Sequence, residues 1–560
     1  MSRFVFLVSL VGALAVTVSQ VSKEINLPEP DSFIVMSDSV QDAKQAVVQV
    51  QGDVIKPLKL VNGVAATLTL AQAQQLRESG FKVAANQKVK LSHSGYGWGA
   101  KSSVSQSVVP YQMGALPMHD AGWTGDGVTI AVLDTGIEGL RDLNRDAYGY
   151  WRHYGTYDAV NRYIPSQDVD PDGHGTHLAS IAANSDFDIF DRYYGIAPNA
   201  RIVSIKGFDS QGNGDYVSII EGLEWALDWQ NTINIRVLNL SFSAHAQSFY
   251  WDDPVNIAVM KAWQAGIVVV TSAGNEGPDP LTIGVPGNVP YVITVGAATD
   301  RYTVADLDDD RITTFSAMGP SVEGFVKPEV LGYGGHVIGL MDSQSKWAND
   351  HPEYHDGLNY FEMSGTSQAA ATISGVVALM LEYHPHLTPD QVKCKLMDSA
   401  TPIMDPDGVQ YEHFLRQGAG RVDTTLAVLS DAENCANQGL NIADDISGTS
   451  HFLGPLAYAS DNQIQPAIDV LINDAEAWSD ANLWRDANLW RDANLWRDAN
   501  VWQDANLWRD ANLWRDANLW RDANLWRDAL IFNDQTQIEL ATANVSTNST
   551  VKSANWTSQE

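Results

Sequence analysis

The chain has little cysteine and little positive charge. It holds only two cysteines, Cys394 and Cys435, in 560 residues. That leaves room for one disulfide, and in an exported protein the two are expected to pair. Lysine and arginine number 35 against 68 aspartates and glutamates, a net charge of −33. A field of that sign repels phosphate, which excludes nucleic acid as a partner through the bulk charge. The acidity reads as solubility or a salty habitat, with part of the excess aspartate available to Ca²⁺. Long apolar runs are missing too. Only residues 4–18, after Arg3, form one, and it is too short to span a bilayer comfortably. Small residues such as Thr17 and Ser19 stand where a signal peptidase could cut, so 1–19 reads as a signal peptide and the protein as secreted.

Residues 20–91 carry strand-like runs at 33–36, 60–68, 81–84 and 89–91 around a helical stretch at 70–79, the pattern of a small α+β unit. Residues 92–109 are rich in Ser and Gly and read as an exposed linker open to proteolysis. From 110 to 429, short β-branched runs (128–133, 201–206, 236–240, 267–271, 292–295) alternate with helical stretches (174–183, 216–229, 255–264, 367–383). That alternation predicts an α/β fold with a parallel sheet covered on both faces. Residues 430–473 have no clear period and read as a linker. Then Asp480-Ala481-Asn482-Leu483-Trp484-Arg485 recurs every six residues through Arg527, with an altered copy at 498–503 and degenerate copies at both ends, 474–533 in all. Six is a multiple of two, so each Trp would face one side of a strand, whereas on a helix the rings would scatter. The array can stack as a solenoid of short strands or hang as an aromatic tail. Exposed Trp favours contact with a surface or polymer. Residues 534–560 are rich in Ser, Thr and Asn and are expected to be disordered.

Three short motifs carry chemistry. In Val132-Leu133-Asp134-Thr135-Gly136 an apolar strand ends in an acid, and functional groups of parallel sheets gather at such ends. In Asp172-Gly173-His174-Gly175-Thr176-His177 a histidine between glycines opens a helix, and its pKa suits a general base. His174, His177 and Asp172 could instead hold a metal, but the HExxH pattern requires a Glu that is not there. In Gly365-Thr366-Ser367-Gln368 a serine sits in the first turn of an apolar helix, where unpaired N–H groups suit an oxyanion. A lone serine there is ordinarily a cap, but the Asp, His and Ser motifs occur together and in this order. A fourth piece, Ala273-Gly274-Asn275, ends a strand in an amide able to donate to the same oxyanion.

These motifs resemble those of the subtilisin-like serine proteases over residues 110–429, supported by Tyr194-Gly195-Ile196-Ala197-Pro198 and Gly418-Ala419-Gly420-Arg421. The resemblance implies a three-layer α/β sandwich with a mainly parallel sheet, and Asp134, His174 and Ser367 as the catalytic residues. It implies Asn275 in the oxyanion hole, and Ser241, Phe242, Ser243, Ala273 and Gly274 along the substrate. It makes residues 20–91 an inhibitory propeptide removed by cleavage within 92–109, and proteins or peptides the substrates. It also implies a stabilising Ca²⁺ held near Asp142, Asn184, Asp186 and Asp188, a loop that continues to Asp191, with no cofactor needed for the chemistry. The sequence departs from the family at Phe242-Ser243-Ala244, where a Gly-rich edge is usual and side chains now enter the pocket region. It departs also at Gln368-Ala369-Ala370-Ala371 and Lys327-Pro328-Glu329. The rival expectation is an inactive scaffold of this fold that works through its Trp repeats.

Overall fold

The structure, a computed structural model, describes residues 31–91, 107–404, 414–454, 456–458, 464–466 and 530–532. The expected signal peptide, most of the linker before residue 110, the hexapeptide array and the tail therefore lie outside the described residues, apart from 530–532.

Residues 31–85 form a four-stranded antiparallel sheet in the order β2-β3-β1-β4, made of β1 (Asp31–Met36), β2 (Asp53–Leu58), β3 (Gly63–Leu68) and β4 (Lys82–Ala85). Helices α1 (Val40–Gln49) and α2 (Leu70–Glu78) complete the unit. Side chains alternate across a strand. Accordingly Phe33 and Val35 join Ala46, Val47 and Leu76 in a small core of the unit's own, while Ile34 and Met36 belong to the large core of the following domain. A fifth strand, β5 (Lys88–Leu91), leaves this sheet and pairs elsewhere.

The large domain is built on an eight-stranded sheet. Its strands are β6 (Thr129–Asp134), β7 (His153–Asp158), β8 (Arg201–Lys206), β10 (Ile235–Leu240), β12 (Val268–Ser272), β13 (Ile293–Thr299), β14 (Arg311–Ile312) and β15 (Val330–Tyr333). All pairings are parallel except the short β13–β14 edge. Two helix pairs cover the sheet: α3 (His174–Ala183) against α6 (Thr366–Tyr383), and α4 (Tyr216–Ile233) against α5 (Pro254–Gln264). Every residue of central β6 is buried, as a strand covered on both faces requires. The expected three-layer α/β arrangement with a mainly parallel sheet is the one observed. Helix α6 is buried from Thr366 to Leu381 and passes against β10, β12, β13 and β15 as the central helix of the core.

The packed chain continues beyond residue 429. A disulfide joins Cys394, on α7 (Pro389–Ser399), to Cys435. Asp445 then accepts hydrogen bonds from the hydroxyls of Tyr250 (2.8 Å) and Tyr291 (2.5 Å). Composition made residues 430–473 look like a linker because the described part, 430–454, packs through isolated contacts, Cys435, Ala436, Asp445 and Phe452, with no period to read.

Candidate active site

Asp134 ends β6 and His174 opens α3, so two neighbouring elements deliver the pair. Gly175 allows the approach: a Cβ there would lie 2.2 Å from the carbonyl oxygen of Gly136 and 3.2 Å from the Cβ of Asp134. Asp134 Oδ1 stands 2.7 Å from His174 Nδ1, with both residues fully buried. A carboxylate can only accept, so Nδ1 carries the proton and the Nε2 lone pair is turned to the other side of the ring. Burial pulls the imidazole pKa down. The charge and hydrogen bond of Asp134 outweigh it and, with Asp172 and Asp170, raise His174 above its ordinary value.

Ser367 lies in the first turn of α6, and the helices that carry Ser367 and His174 pack together. Its Oγ donates to the carbonyl of Ser241 at 3.1 Å, and the Ser241 hydroxyl donates back to the carbonyl of Ser367 at 3.2 Å. Asn239 holds that hydroxyl (2.8 Å) and accepts from Ser374 of the same helix (2.9 Å). Helix α6 is thereby fastened to the end of β10.

Asn275 follows β12. Its Oδ1 accepts from the backbone N–H of Thr366 (3.1 Å) and from the Thr366 hydroxyl (2.9 Å). An N–H can only donate, so the oxygen must face Thr366 and Nδ2 must point away. That Nδ2 is buried and has no partner among the described residues. A buried amide donor left unpaired costs stability, and here it sits beside the turn that carries Ser367.

The sequence placed Ser241, Phe242, Ser243, Ala273 and Gly274 along a substrate. In the structure β11 (Phe242–Ser243) is the edge of a separate three-stranded sheet with β5 between it and β9 (Asn213–Asp215). Both pairings are antiparallel: Leu91 opposite Phe242, Lys90 opposite Ser243, and Val89 opposite Gly214. The ring of Phe242 turns away and packs on Phe208, 5.5 Å between centroids, so it leaves the strand edge open. Only Ser243 brings a side chain in. Its Oγ would clash with a Cβ on Gly284 (2.1 Å) and press on one at Gly274 (3.1 Å), beside the small apolar cluster of Ala273, Ile283 and Ala317.

The expected calcium residues are brought together in part. Burial, followed by the charge of Asp186, raises the pKa of Asp142. Yet their oxygens are engaged by protein donors. Asp142 is paired with Arg141 (3.0 Å), Asp188 with Arg192, Asn184 Oδ1 with the N–H of Asp186, and Asp186 with the N–H of Phe187. The positive charge at this place belongs to Arg152. Its buried guanidinium donates to the carbonyls of Asp142 (2.5 Å), Pro198 (2.9 Å), Ala200 (3.1 Å) and Ala183. Calcium needs six to eight oxygens, and no group of three or more His, Cys, Asp or Glu able to hold a metal exists among the described residues. His177 does not join His174 at a metal either. It is fully buried, and its Nε2 lies 3.0 Å from the carbonyl of Phe361.

One acid went unread as a support. Asp170 accepts from the N–H groups of Gly173 (2.9 Å) and Thr176 (2.8 Å) and from the Thr176 hydroxyl (2.7 Å), clamping the turn that presents His174. The spacing of Asp168, Asp170 and Asp172 just before His174 was the available signal.

Comparison with known proteins agrees with this geometry. The model of the subtilase family, peptidase S8, matches residues 125–427. The chain is similar to serine protease AprX of Bacillus subtilis, 39% identical over 310 residues that cover 54% of this chain and 67% of the relative. It is similar to subtilisin NAT of Bacillus subtilis subsp. natto, 30% identical over 366 residues, 64% of this chain and 80% of the relative. Among solved structures it resembles fervidolysin of Fervidobacterium pennivorans, described as a keratinolytic enzyme related to subtilisin. The TM-score is 0.55 at 21% identity over 74% of this chain and 63% of that one, a likeness of fold.

Proposed function

Because the chain belongs to the subtilase family of serine endopeptidases, we propose that Ser367 is its nucleophile and that residues 20–91 are an intramolecular inhibitor whose strand β5 sits in its substrate cleft. The observation that carries the first part is the fully buried Asp134–His174 pair at 2.7 Å, delivered to the helix that bears Ser367. His174 Nε2 takes the proton of Ser367 Oγ as that oxygen adds to the peptide carbonyl. The proton then passes to the leaving amine, and water hydrolyses the resulting ester. Asp134 fixes the tautomer and favours the imidazolium. Asn275 Nδ2 and the backbone N–H of Ser367 receive the negative oxygen.

The second part is supported by β5. An extended segment bound between two edge strands imitates a substrate, and Leu91 is buried beside the strand that leads to Ser241. On this reading the protein is made as a precursor, cuts itself within residues 92–109, and is secreted through the signal at 1–19. A fluorophosphonate probe tests the nucleophile. Peptide mapping should find one adduct, on Ser367, and none on a His174→Ala chain. Labelling elsewhere, or labelling undiminished in that variant, contradicts the assignment.

A further inference from the structure

The register of β5 identifies where each residue of a bound strand stands. Leu91 pairs with Phe242, and the preceding Ser241 offers its carbonyl to Ser367 Oγ at 3.1 Å. A substrate in this register presents its reacting residue opposite Ser241, so Leu91 occupies the place of the second residue before the cleaved bond. Its side chain is 5% exposed.

What surrounds that side chain is not wholly apolar. Gly212, at φ +74°, marks a point 3.3 Å from Leu91 Cδ1 and 3.5 Å from Asp172 Oδ2, so the leucine methyl and the carboxylate oxygen flank the same spot. Asp172 is 1% exposed, and its Oδ1 accepts from the N–H of His174 at 3.3 Å. No hydrogen bond reaches Oδ2 among the described residues. The charged groups around it are Asp170, His174, Asp134 and Lys346. An aliphatic occupant leaves Oδ2 without a donor, whereas a side chain with an aliphatic stem and a cationic end fills the same volume and pairs with it.

We propose that Asp172 is a specificity-determining residue whose Oδ2 receives the cationic end of a lysine or arginine at the second residue before the cleaved bond. This deepens the protease reading and rests on it. Leu91 then acts as a placeholder that fits the stem of the pocket and leaves its acid unused, so a basic substrate displaces the N-terminal strand readily. Burial, followed by the charges of Asp170 and Asp134, pushes the Asp172 carboxyl up to about 7. Preference for a cation therefore strengthens as pH rises and the acid ionises.

The test uses the purified protein, expressed as the full chain, and two peptides that differ only in Leu or Lys at that residue. The lysine peptide should be favoured in kcat/KM by roughly five- to tenfold at pH 9, and by less at pH 6. In Asp172→Asn, which keeps an oxygen for the His174 N–H, the ratio should fall to about one. Equal or inverted preference in the parent chain overturns the proposal, as does an Asn variant that loses both activities by one factor with the ratio intact. If that variant does not fold, the pH dependence of the parent's ratio decides. Cleavage of neither peptide means that the protease reading has failed, and the proposal with it.

Discussion

The N-terminal unit and the large domain bury the same kinds of side chain but differ in what fastens them. The unit has a small core of its own, and its other face lies on the large domain. Its rim is ionic, with Lys82 paired to Asp252 (2.7 Å) and Lys88 to Asp215 (3.7 Å), while Lys56 reaches the buried Glu221. Backbone groups reinforce it. Leu60 receives a hydrogen bond from Lys261 on its carbonyl (2.6 Å), and Asn86 accepts from the N–H of Val217 in the first turn of α4 (3.0 Å). In the large domain the charges are inside. Glu329 Oε1 lies 2.7 Å from Lys327 Nζ and 2.9 Å from Lys393 Nζ, and all three side chains are fully buried. Charges at a rim are screened and exchange with water, whereas a buried group of three cannot lose a member cheaply. The contrast suits the proposed release of the unit from a domain that persists.

Each prediction presses on that contrast, beginning with the largest effect. Glu329→Ala leaves two buried lysines without their acid and should destabilise the domain by about 3–5 kcal/mol in urea unfolding. A loss below ~1 kcal/mol would place the network among surface-like pairs. Asn275→Ala should lower kcat by about 10²–10³-fold, the size known for the corresponding donor of subtilisin, itself a family member, while the N-terminal unit stays bound. Activity should disappear as pH falls, because the base must be neutral. Asp134 raises His174, so the midpoint in kcat/KM lies above the ~6.5 of a free imidazole. Lys82→Ala, whose ion pair is about half exposed, should weaken retention of the cleaved N-terminal unit by about 0.2–1 kcal/mol, and raised salt should act in the same direction. The smallest effect concerns chelation. With Arg152 already supplying the buried positive charge beside Asp142, EDTA should leave Tm unchanged, and a clear drop would reveal a bound cation.

Much of the site was readable because its parts are local. An apolar run that ends in Asp134, a His174 between glycines and a Ser367 before an apolar stretch are each strand-end or helix-start signatures, and each element formed where its period indicated. What could not be read depends on distant partners. The four residues of β5 alternate like any short strand, but β9 and β11, which hold it, lie more than a hundred residues further on. Composition also could not show Arg152 folding its guanidinium into the carbonyls beside the Asp-rich loop after α3. Phe242 looked like an obstruction because nothing local reveals that Phe208 receives its ring.

The most direct test of the central claim is the mass of the purified chain beside that of its Ser367→Ala variant. The account predicts that the parent is cut once within residues 92–109, releasing the unit that carries β5, while the variant keeps that unit attached. A variant cut at the same bond, or a parent that stays whole and hydrolyses no peptide, would contradict it.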